Sequence, residues 1–231
     1  MTAAFTAAAF FALWCRAMSA ALAATPSSAP DEPLLAVHGL ACARGGRRVL
    51  SDVGFTLGPG ELILITGPNG SGKTSLLRCI AGLLAPDAGT VAGPARARGQ
   101  TLHVGHADPV KPHLTVLENL RFWAALGAGG GRPPEEAADA MGLAARLDVP
   151  ARILSAGQRR RLSLARLLLS PALVWLLDEP ANALDTDGVA RLAAIVADHR
   201  ARGGAVIVAT HGPLPFPDAR PLVLGHGAVA C

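Results

Sequence analysis

The sequence contains the short apolar run Glu61-Leu-Ile-Leu-Ile-Thr66, which leads directly into Gly67-Pro-Asn-Gly-Ser-Gly-Lys73-Thr74. The short apolar run predicts a buried strand, and the residues from Ser75 to Ala81 predict a helix. The segment between them, here called the P-loop (residues 67–74), matches G-x-x-x-x-G-K-T in the strand–loop–helix context that makes this pattern specific. The alternative, a glycine-rich turn before an ordinary helix, is disfavoured by the strand in front of the loop.

The residues of this loop predict a site for the phosphates of a nucleoside triphosphate. Its glycines let the backbone bend and approach a phosphate without a clashing Cβ atom. The loop amides and the helix N-terminus form a positive concavity. Lys73 supplies an ammonium group to the β- and γ-phosphates, and the Thr74 hydroxyl is placed to bind Mg²⁺. The predicted phosphate-binding residues are Gly67, Pro68, Asn69, Gly70, Ser71, Gly72, Lys73, Thr74 and Ser75.

A second apolar run, Leu173 to Leu177, ends in Asp178-Glu179-Pro180. A carboxylate at the end of a strand beside the P-loop strand can hold the Mg²⁺ shell, which is the role predicted for Asp178. Glu179 points elsewhere and can polarise a water for attack on the γ-phosphate. The alternative is a solvated pair of carboxylates, which the apolar strand leading straight into the pair disfavours.

Leu154-Ser-Ala-Gly-Gln158 precedes a predicted helix from Arg159 to Ser170, a short distance before the strand that ends in Asp-Glu. In this order and spacing, the chain resembles the ATP-binding-cassette (ABC) ATPases from about Leu34 to its C-terminus. The resemblance implies that Ser155, Gly157 and the N-terminus of the following helix, with Gln158 in the same motif, contact the γ-phosphate of nucleotide held by a second copy.

Further positions extend this resemblance. Ala183-Leu-Asp185 is similar to the family's D-loop, which crosses the dimer interface. The strand Ala205 to Thr210 is followed by His211, where the family places a histidine that binds the γ-phosphate and the attacking water. Pro221 to Leu224 with Gly225-His-Gly227 is similar to a closing hairpin. The implied catalytic residues are Lys73, Glu179 and His211.

The resemblance also implies the fold class, an α/β P-loop NTPase with a mainly parallel core sheet. The N-terminal strands, predicted at Leu34 to Leu40 and Val49 to Leu57, supply an antiparallel β part. A helical subdomain is expected at about residues 107–165. Within it, Thr115 to Leu126 predicts an amphipathic helix with Leu117, Leu120 and Leu126 in the core, and Glu135 to Leu147 predicts a second helix.

The sequence departs from the family pattern where an aromatic residue stacks on adenine. Counting back from the P-loop places Arg44 at that position. A guanidinium can stack on a base by cation–π attraction, so we expect Arg44 to contact adenine. The alternative is a solvated arginine within Arg44-Gly-Gly-Arg-Arg48.

A second departure follows the strand Thr101 to Val104, where the family has a glutamine that binds Mg²⁺. That position is Ala107 here, so water, His106 or Asp108 would have to replace the amide. His103 and His106 together suggest a metal or haem site. A spacing of three on a strand puts side chains on opposite faces, which disfavours joint ligation.

Composition narrows the class of partner. The chain has 231 residues, of which 51% are hydrophobic and 16% charged, which excludes disorder of the whole chain. Aromatic residues are 4% and tyrosine is absent, so an aromatic platform for nucleic acid is not expected. Arg159-Arg-Arg161 cannot form one basic helix face, so we expect surface and subunit contacts there and no nucleic-acid partner. The four cysteines are far apart and predict reduced cytosolic thiols.

The segment from Ala3 to Ala24 is nearly all apolar, and a linker rich in Pro and Ser, Thr25 to Pro33, follows it. Three interpretations remain open: a start codon assigned too early, which we favour, a helix that adheres to a membrane, and a signal peptide. The signal peptide is the least favoured, because no Lys or Arg precedes the run and the rest of the chain needs cytosolic ATP. We therefore expect residues 1–33 to lie outside the ATPase domain, which spans residues 34–231.

Within the ABC ATPases, local sequences such as Gly105-His106 and Leu154 to Leu162 are most similar to those of the haem-exporter ATPases of cytochrome c biogenesis. This resemblance implies an ATP-hydrolysing homodimer, with ATP and Mg²⁺ as cofactors, on the cytoplasmic face of the inner membrane. It would drive integral membrane subunits of the cytochrome c maturation system. Haem would be handled by that complex, and nothing in the sequence indicates contact with this chain.

Three alternatives remain open. The chain could energise another exporter, such as a lipid or drug pump, or serve as a soluble ABC-type ATPase of an assembly scaffold. A non-hydrolysing regulatory module is the third, which the intact Glu179 and His211 disfavour.

Overall fold

The computed structural model describes residues 33–127, 130–225 and 229–230. The predictions for the apolar N-terminal segment and for Cys15 and Cys231 lie outside these residues. Cys42 and Cys79 are buried free thiols. The strands are β1 (Leu35–Arg44), β2 (Arg47–Leu57), β3 (Leu62–Thr66), β4 (Ala88–Ala92), β5 (Thr101–Val104), β6 (Val174–Asp178), β7 (Ala205–Ala209), β8 (Arg220–Leu224) and β9 (Val229–Ala230).

Short helices connect these strands. The α-helices are α1 (Lys73–Ala81), α2 (Pro94–Ala97), α3 (Val116–Leu126), α4 (Pro134–Ala140), α5 (Ala156–Ala165) and α6 (Thr186–Ala201). Three short 3₁₀ segments lie at Ala144–Arg146, Ala151–Ile153 and Arg166–Leu169.

The larger sheet has the order β5-β6-β7-β3-β8-β9, in which the first five strands are parallel and β9 is antiparallel to β8. A smaller antiparallel sheet has the order β2-β1-β4. The predicted α/β class, with a mainly parallel core sheet and an antiparallel N-terminal part, is confirmed. The β8–β9 pairing also confirms the predicted closing hairpin.

The strands of the parallel sheet are apolar throughout because both of their faces are covered. All five residues of β6 and all five of β7 are buried. Alternate side chains enter two separate cores: Trp175 and Leu177 pack with helices α3 to α5, whereas Val174 and Leu176 pack with α1 and the small sheet. This two-sided burial holds the strand ends in place for the site described below.

Helix α3 begins where the sequence predicts, because Thr115 forms a capping box with Glu118. Thr115 Oγ1 accepts from the Glu118 amide, and the Glu118 carboxylate accepts from the Thr115 amide. Leu120 is fully buried as expected. The prediction that Leu126 belongs to the core is wrong, since it is 69% exposed at the last turn of the helix.

Two other helix boundaries differ from the prediction. The helix expected from Glu135 to Leu147 ends at Ala140, because Gly142 adopts φ +68° and the next residues form only a 3₁₀ turn. The helix expected from Arg159 to Ser170 begins earlier, at Ala156, and changes to a 3₁₀ segment after Ala165. Among residues 33–127, 130–225 and 229–230, no helix has both the length and the apolarity to cross a bilayer.

A buried histidine makes the fold sensitive to acid. The His199 ring stacks on Trp175 with centroids 3.8 Å apart, and its Nε2 lies 3.1 Å from the Leu173 carbonyl oxygen. Burial lowers the pKa of His199. The folded chain therefore binds fewer protons here than the unfolded chain, and stability falls as the pH drops below the ordinary histidine pKa of about 6.5.

We predict that the free energy of unfolding, measured in urea, decreases between pH 7 and pH 5, and that His199→Phe weakens this decrease. Phenylalanine retains the stacking on Trp175 but cannot be protonated. His103 is partly buried and desolvation also lowers its pKa, so it accounts for part of the remaining dependence. The exposed His113 is the control, and His113→Gln should leave the pH profile unchanged. An identical profile in His199→Phe would contradict the assignment.

Candidate functional site

The polar residues singled out in the sequence meet at one edge of the parallel sheet. Asp178 of β6 is in register with Ala209 of β7, and Ile65 of β3 is also in register with Ala209. The P-loop, Glu179 and the segment after β7 therefore start from the same level. Their side chains converge because the carboxyl ends of parallel strands share one edge.

Close backbone approach explains two glycines of the P-loop. A Cβ atom on Gly67, which has φ +146°, would overlap the Leu224 carbonyl oxygen. On Gly72, which has φ +99°, it would lie 2.7 Å from the Val49 carbonyl oxygen. Gly70 also has a positive φ, of +81°, but no atom lies within 4 Å of its Cβ position, so that side of the loop is open.

The end of the Lys73 side chain lies back over the loop. Its Nζ donates to the carbonyl oxygens of Gly67 and Pro68, at 2.7 and 3.2 Å. Ser71 is buried, and its hydroxyl has no hydrogen-bond partner among the described groups. An unsatisfied buried hydroxyl beside a buried ammonium fits an anionic ligand, since a phosphate oxygen can accept from both.

The P-loop forms one wall of a cavity of about 340 Å³. The other walls come from β1, β2, the segment after β5 and the end of β6. Its lining residues are Arg44, Val49, Asn69, Gly70, Ser71, Gly72, Lys73, Thr74, Ser75, His106, Asp178 and Glu179. Most of the predicted phosphate-site residues, both carboxylates and Arg44 are thus brought to one place.

Two of the lining residues, Thr74 and Asp178, are candidate oxygen ligands for a metal ion. The Thr74 hydroxyl donates to Asp178 Oδ2 at 2.9 Å, and Asp178 is only 2% exposed. The Nδ1 atom of His106 lies 3.8 Å from the same carboxylate oxygen. A hydroxyl and a carboxylate are ligands that Mg²⁺ prefers, so the pair predicted from the sequence fits this ion.

Glu179 and His211 contact each other directly. His211 Nδ1 lies 2.8 Å from Glu179 Oε1, and the Glu179 amide donates to the Ala209 carbonyl at 2.8 Å. The backbone of Glu179 has φ +48°, a left-handed conformation that non-glycine residues rarely adopt. The sequence contains no signal for this conformation, which aims the carboxylate at His211.

The signature residues lie elsewhere in the chain. Ser155 caps α5: its Oγ accepts from the Gln158 amide at 3.2 Å, and Gln158 Oε1 accepts from the Ser155 amide at 3.0 Å. A Cβ on Gly157 would lie 2.8 Å from the Ala183 carbonyl oxygen, so this glycine permits a close approach. Ser155, Gly157 and Gln158 do not line the P-loop cavity.

The prediction that Arg159 to Arg161 serve as surface and subunit contacts is wrong for Arg160, which is 2% exposed. Its guanidinium donates to the backbone carbonyls of Asp178 and Glu179, and it forms an ion pair with Asp108 at 3.1 Å. Helical spacing could have found it, because Arg160 shares a face with the buried Leu164 and Leu167.

The two histidines near β5 occupy different surroundings. His103 lies on the strand with a buried Nε2 that has no hydrogen-bond partner among the described groups, whereas His106 lies beyond the strand end in the cavity. Within the described parts of the chain, no three His, Cys, Asp or Glu side chains are grouped to hold a metal.

The comparisons with known proteins agree on one protein family. Residues 50–182 match the family model described as ABC transporter. The cytochrome c biogenesis ATP-binding export protein CcmA of Paramagnetospirillum magneticum is 46% identical over 203 residues, which cover 83% of this chain and 94% of that protein. The protein of the same name from Paracoccus denitrificans is 49% identical over 192 residues, covering 83% and 89%.

Solved structures agree with these matches. An ABC transporter ATP-binding protein from Pyrococcus furiosus superposes with a TM-score of 0.73 at 26% identity, covering 82% of this chain and 96% of that one. A second structure, of an ATP-binding subunit of an ABC transporter, gives a TM-score of 0.74 at 26% identity and covers 85% and 88%.

The position of Arg44 in the cavity wall leads to a prediction about nucleotide affinity. Loss of a cation–π contact worth about 0.5–1 kcal/mol should weaken ATP binding about two- to fivefold in Arg44→Ala. Arg44→Phe should bind as tightly as the wild type, because an aromatic ring can also stack on adenine. Isothermal titration with ATP measures both, and Arg47→Ala is the control. Weak binding by Arg44→Phe would indicate a charge contact with phosphate instead.

The position of His106 leads to a second prediction, about the missing glutamine. Because His106 lines the cavity and Asp108 does not, His106→Ala should lower kcat about tenfold or more, as losses around metal sites do. Adding Ala107→Gln to that variant should restore turnover by returning an amide to the loop. Normal turnover in His106→Ala would contradict this role and would indicate that water takes the place of the glutamine amide.

Proposed function

The chain belongs to the ABC transporter family of ATP-binding proteins, and we propose that it works as the ATP-hydrolysing subunit of an export complex for cytochrome c biogenesis. The observation that carries the proposal is the convergence of the P-loop, Asp178, Glu179 and His211 on one sheet edge. The identity of 45–49% to relatives named for cytochrome c biogenesis supports the choice of system.

In this proposal the P-loop residues, Gly67 to Ser75, bind the phosphates of ATP. Lys73 exchanges its two backbone carbonyl acceptors for phosphate oxygens, which costs little because both partners are hydrogen-bond acceptors. The unsatisfied Ser71 hydroxyl gains a partner at the same time. Arg44 stacks on the adenine from the opposite wall of the cavity.

Thr74 and Asp178 are the residues that would hold Mg²⁺. When bound, this ion neutralises charge that develops on the phosphates. Asp178 is buried and accepts a hydrogen bond from Thr74, so the two ligands are already adjacent before nucleotide binds. His106 approaches the same carboxylate and would complete the ligand environment in place of the missing glutamine.

Glu179 acts as the general base, taking a proton from the water that attacks the γ-phosphate. His211 lies 2.8 Å away and orients the carboxylate. A histidine at this distance can turn its ring toward the terminal phosphate and hold it in line with the water.

Hydrolysis would require two copies of the chain. The signature residues Ser155, Gly157 and Gln158 lie outside the cavity formed by their own P-loop. Ser155 and Ala156 at the N-terminus of α5 are exposed, and the helix dipole there favours an anion. We infer that these residues contact the γ-phosphate bound by a partner copy in a head-to-tail homodimer.

The mechanical work would be done on integral membrane subunits of the cytochrome c maturation system, with this chain on the cytoplasmic face of the inner membrane. Residues 34–231 would form the ATPase domain, and residues of about 107–165 its helical subdomain, leaving 1–33 outside. Haem would be handled by the whole complex. The alternatives, a different exporter or a soluble assembly scaffold, differ in their membrane partners.

We predict that Glu179→Gln lowers ATP turnover by a factor of about 10²–10⁴ and leaves ATP affinity unchanged. The amide occupies the same volume but cannot accept the proton of the attacking water. Phosphate release measures turnover, and isothermal titration measures affinity. The matched control is Glu136→Gln, at an exposed position of α4. Full turnover in Glu179→Gln would contradict the role of general base.

The choice of system is tested in a bacterium that lacks its own ATPase for cytochrome c biogenesis. Expression of this chain should restore covalent haem on c-type cytochromes, detected by haem staining of denatured proteins, whereas Lys73→Ala should not. Co-purification with multi-span membrane proteins separates a transporter from a scaffold. Turnover without restored cytochromes would indicate another exporter.

A further inference from the structure

We propose that Arg160 is a positioning residue for ATP hydrolysis: its buried guanidinium sets the orientation of Glu179 and links it to the signature helix α5. The inference rests on the proposed ATPase function. It concerns a residue that contacts neither nucleotide nor metal and acts only through the backbone of the two loops that it joins.

The guanidinium uses every hydrogen-bond donor that it has. Nε donates to the Pro180 carbonyl at 3.2 Å, and Nη2 donates to the carbonyls of Asp178 and Glu179 at 3.1 and 2.8 Å. Nη1 donates to the Gly105 carbonyl at 2.9 Å and to Asp108 Oδ1 at 3.1 Å. An arginine has five N–H donors in a fixed planar fork, and all five are matched here.

These contacts bind two separate loops to one helix. Three of the acceptors are the consecutive carbonyls of Asp178, Glu179 and Pro180, at the end of β6 and in the turn that follows it. Glu179 is the predicted base. The other two belong to the segment after β5, which carries His106 and the alanine at position 107. Since α5 starts directly after Ser155, a displacement of the signature end of the helix moves the same guanidinium.

The backbone of Glu179 needs such support. Its φ of +48° costs free energy for a residue with a Cβ atom, and surrounding contacts must hold it there. The Glu179 amide donates to the Ala209 carbonyl, and its own carbonyl accepts from Arg160 and from the Asn182 amide. Both peptide groups around this residue are therefore fixed, and the side chain that they carry points at His211.

Asp108 holds the segment after β5 in a different way from the family's glutamine. In place of a glutamine reaching the metal, the segment after β5 is tied by an ion pair between Asp108, which is 26% exposed, and the buried Arg160. Arg160 has one carboxylate partner and four carbonyl partners. Lysine cannot satisfy all five, because it offers only three donors from a single atom.

Arg160→Lys tests the proposal in the full-length chain. We expect kcat to fall about 10²-fold, the loss typical of a misplaced catalytic group, while the Kd for ATP stays within about twofold. Amide exchange should accelerate across residues 179–184 and remain unchanged in the P-loop. The matched control is Arg191→Lys, which weakens an exposed ion pair with Asp187 of 2.8 Å and should leave all three measurements unchanged.

A purely structural role would give a different pattern. Exchange would then accelerate across the whole sheet and ATP affinity would fall together with kcat, a result that would overturn the proposal, as would wild-type kcat in Arg160→Lys. Should Arg160→Lys fail to fold, Asp108→Ala removes one contact of the five. It should lower kcat severalfold with ATP affinity retained, and wild-type kcat there would overturn the proposal.

The exchange measurement also separates this proposal from the proposed function. A wild-type chain that binds ATP without hydrolysing it would contradict the ATPase proposal alone. Faster exchange confined to residues 179–184 in Arg160→Lys would still support the positioning role, and unchanged exchange there would overturn it in either case.

Discussion

The parallel alignment of β3, β6 and β7 is the constraint on which the site depends. It places the ends of three buried strands at one level. A residue of the candidate site follows each strand: Gly67 after β3, Glu179 after β6 and, two residues after the end of β7, His211. Burial on both faces prevents these strands from sliding, because a shift in register would break two apolar cores at once. The site is therefore precise although its residues lie on loops.

Under the proposed function, one copy of the chain holds only part of the site. The cavity is lined by the residues that we propose bind phosphate, by the candidate metal pair and by the proposed base. Ser155 and Gly157, at the start of α5, are not among the residues that line this cavity. Arg160 lies on α5 and donates to the carbonyls of Asp178 and Glu179, so it connects the signature helix with the turn that carries Glu179. In our proposal, a displacement of α5 therefore changes the position of Glu179.

Much of this arrangement could be predicted from the sequence, because its signals are local. The P-loop, the strand ending in Asp178 and the capping box at Thr115 each depend on neighbouring residues, and the structure has all three. The errors have tertiary causes. Among the described residues, no element covers Leu126 at the last turn of α3, and Arg160 is buried because two loops fold around it, although its helical spacing from Leu164 and Leu167 is a local sign of burial. The left-handed turn at Glu179 depends on partners that are distant in sequence, so no local pattern could indicate it.

A cross-linking measurement tests most directly whether two copies share the nucleotide. Asn69→Cys and Ser155→Cys would be combined with Glu179→Gln, which traps ATP, and with serine at Cys15 and Cys231. Under mild oxidation, we expect a covalent dimer that forms with Mg–ATP and not without nucleotide. A chain that binds ATP and stays monomeric, or a dimer that forms equally without ATP, would contradict it.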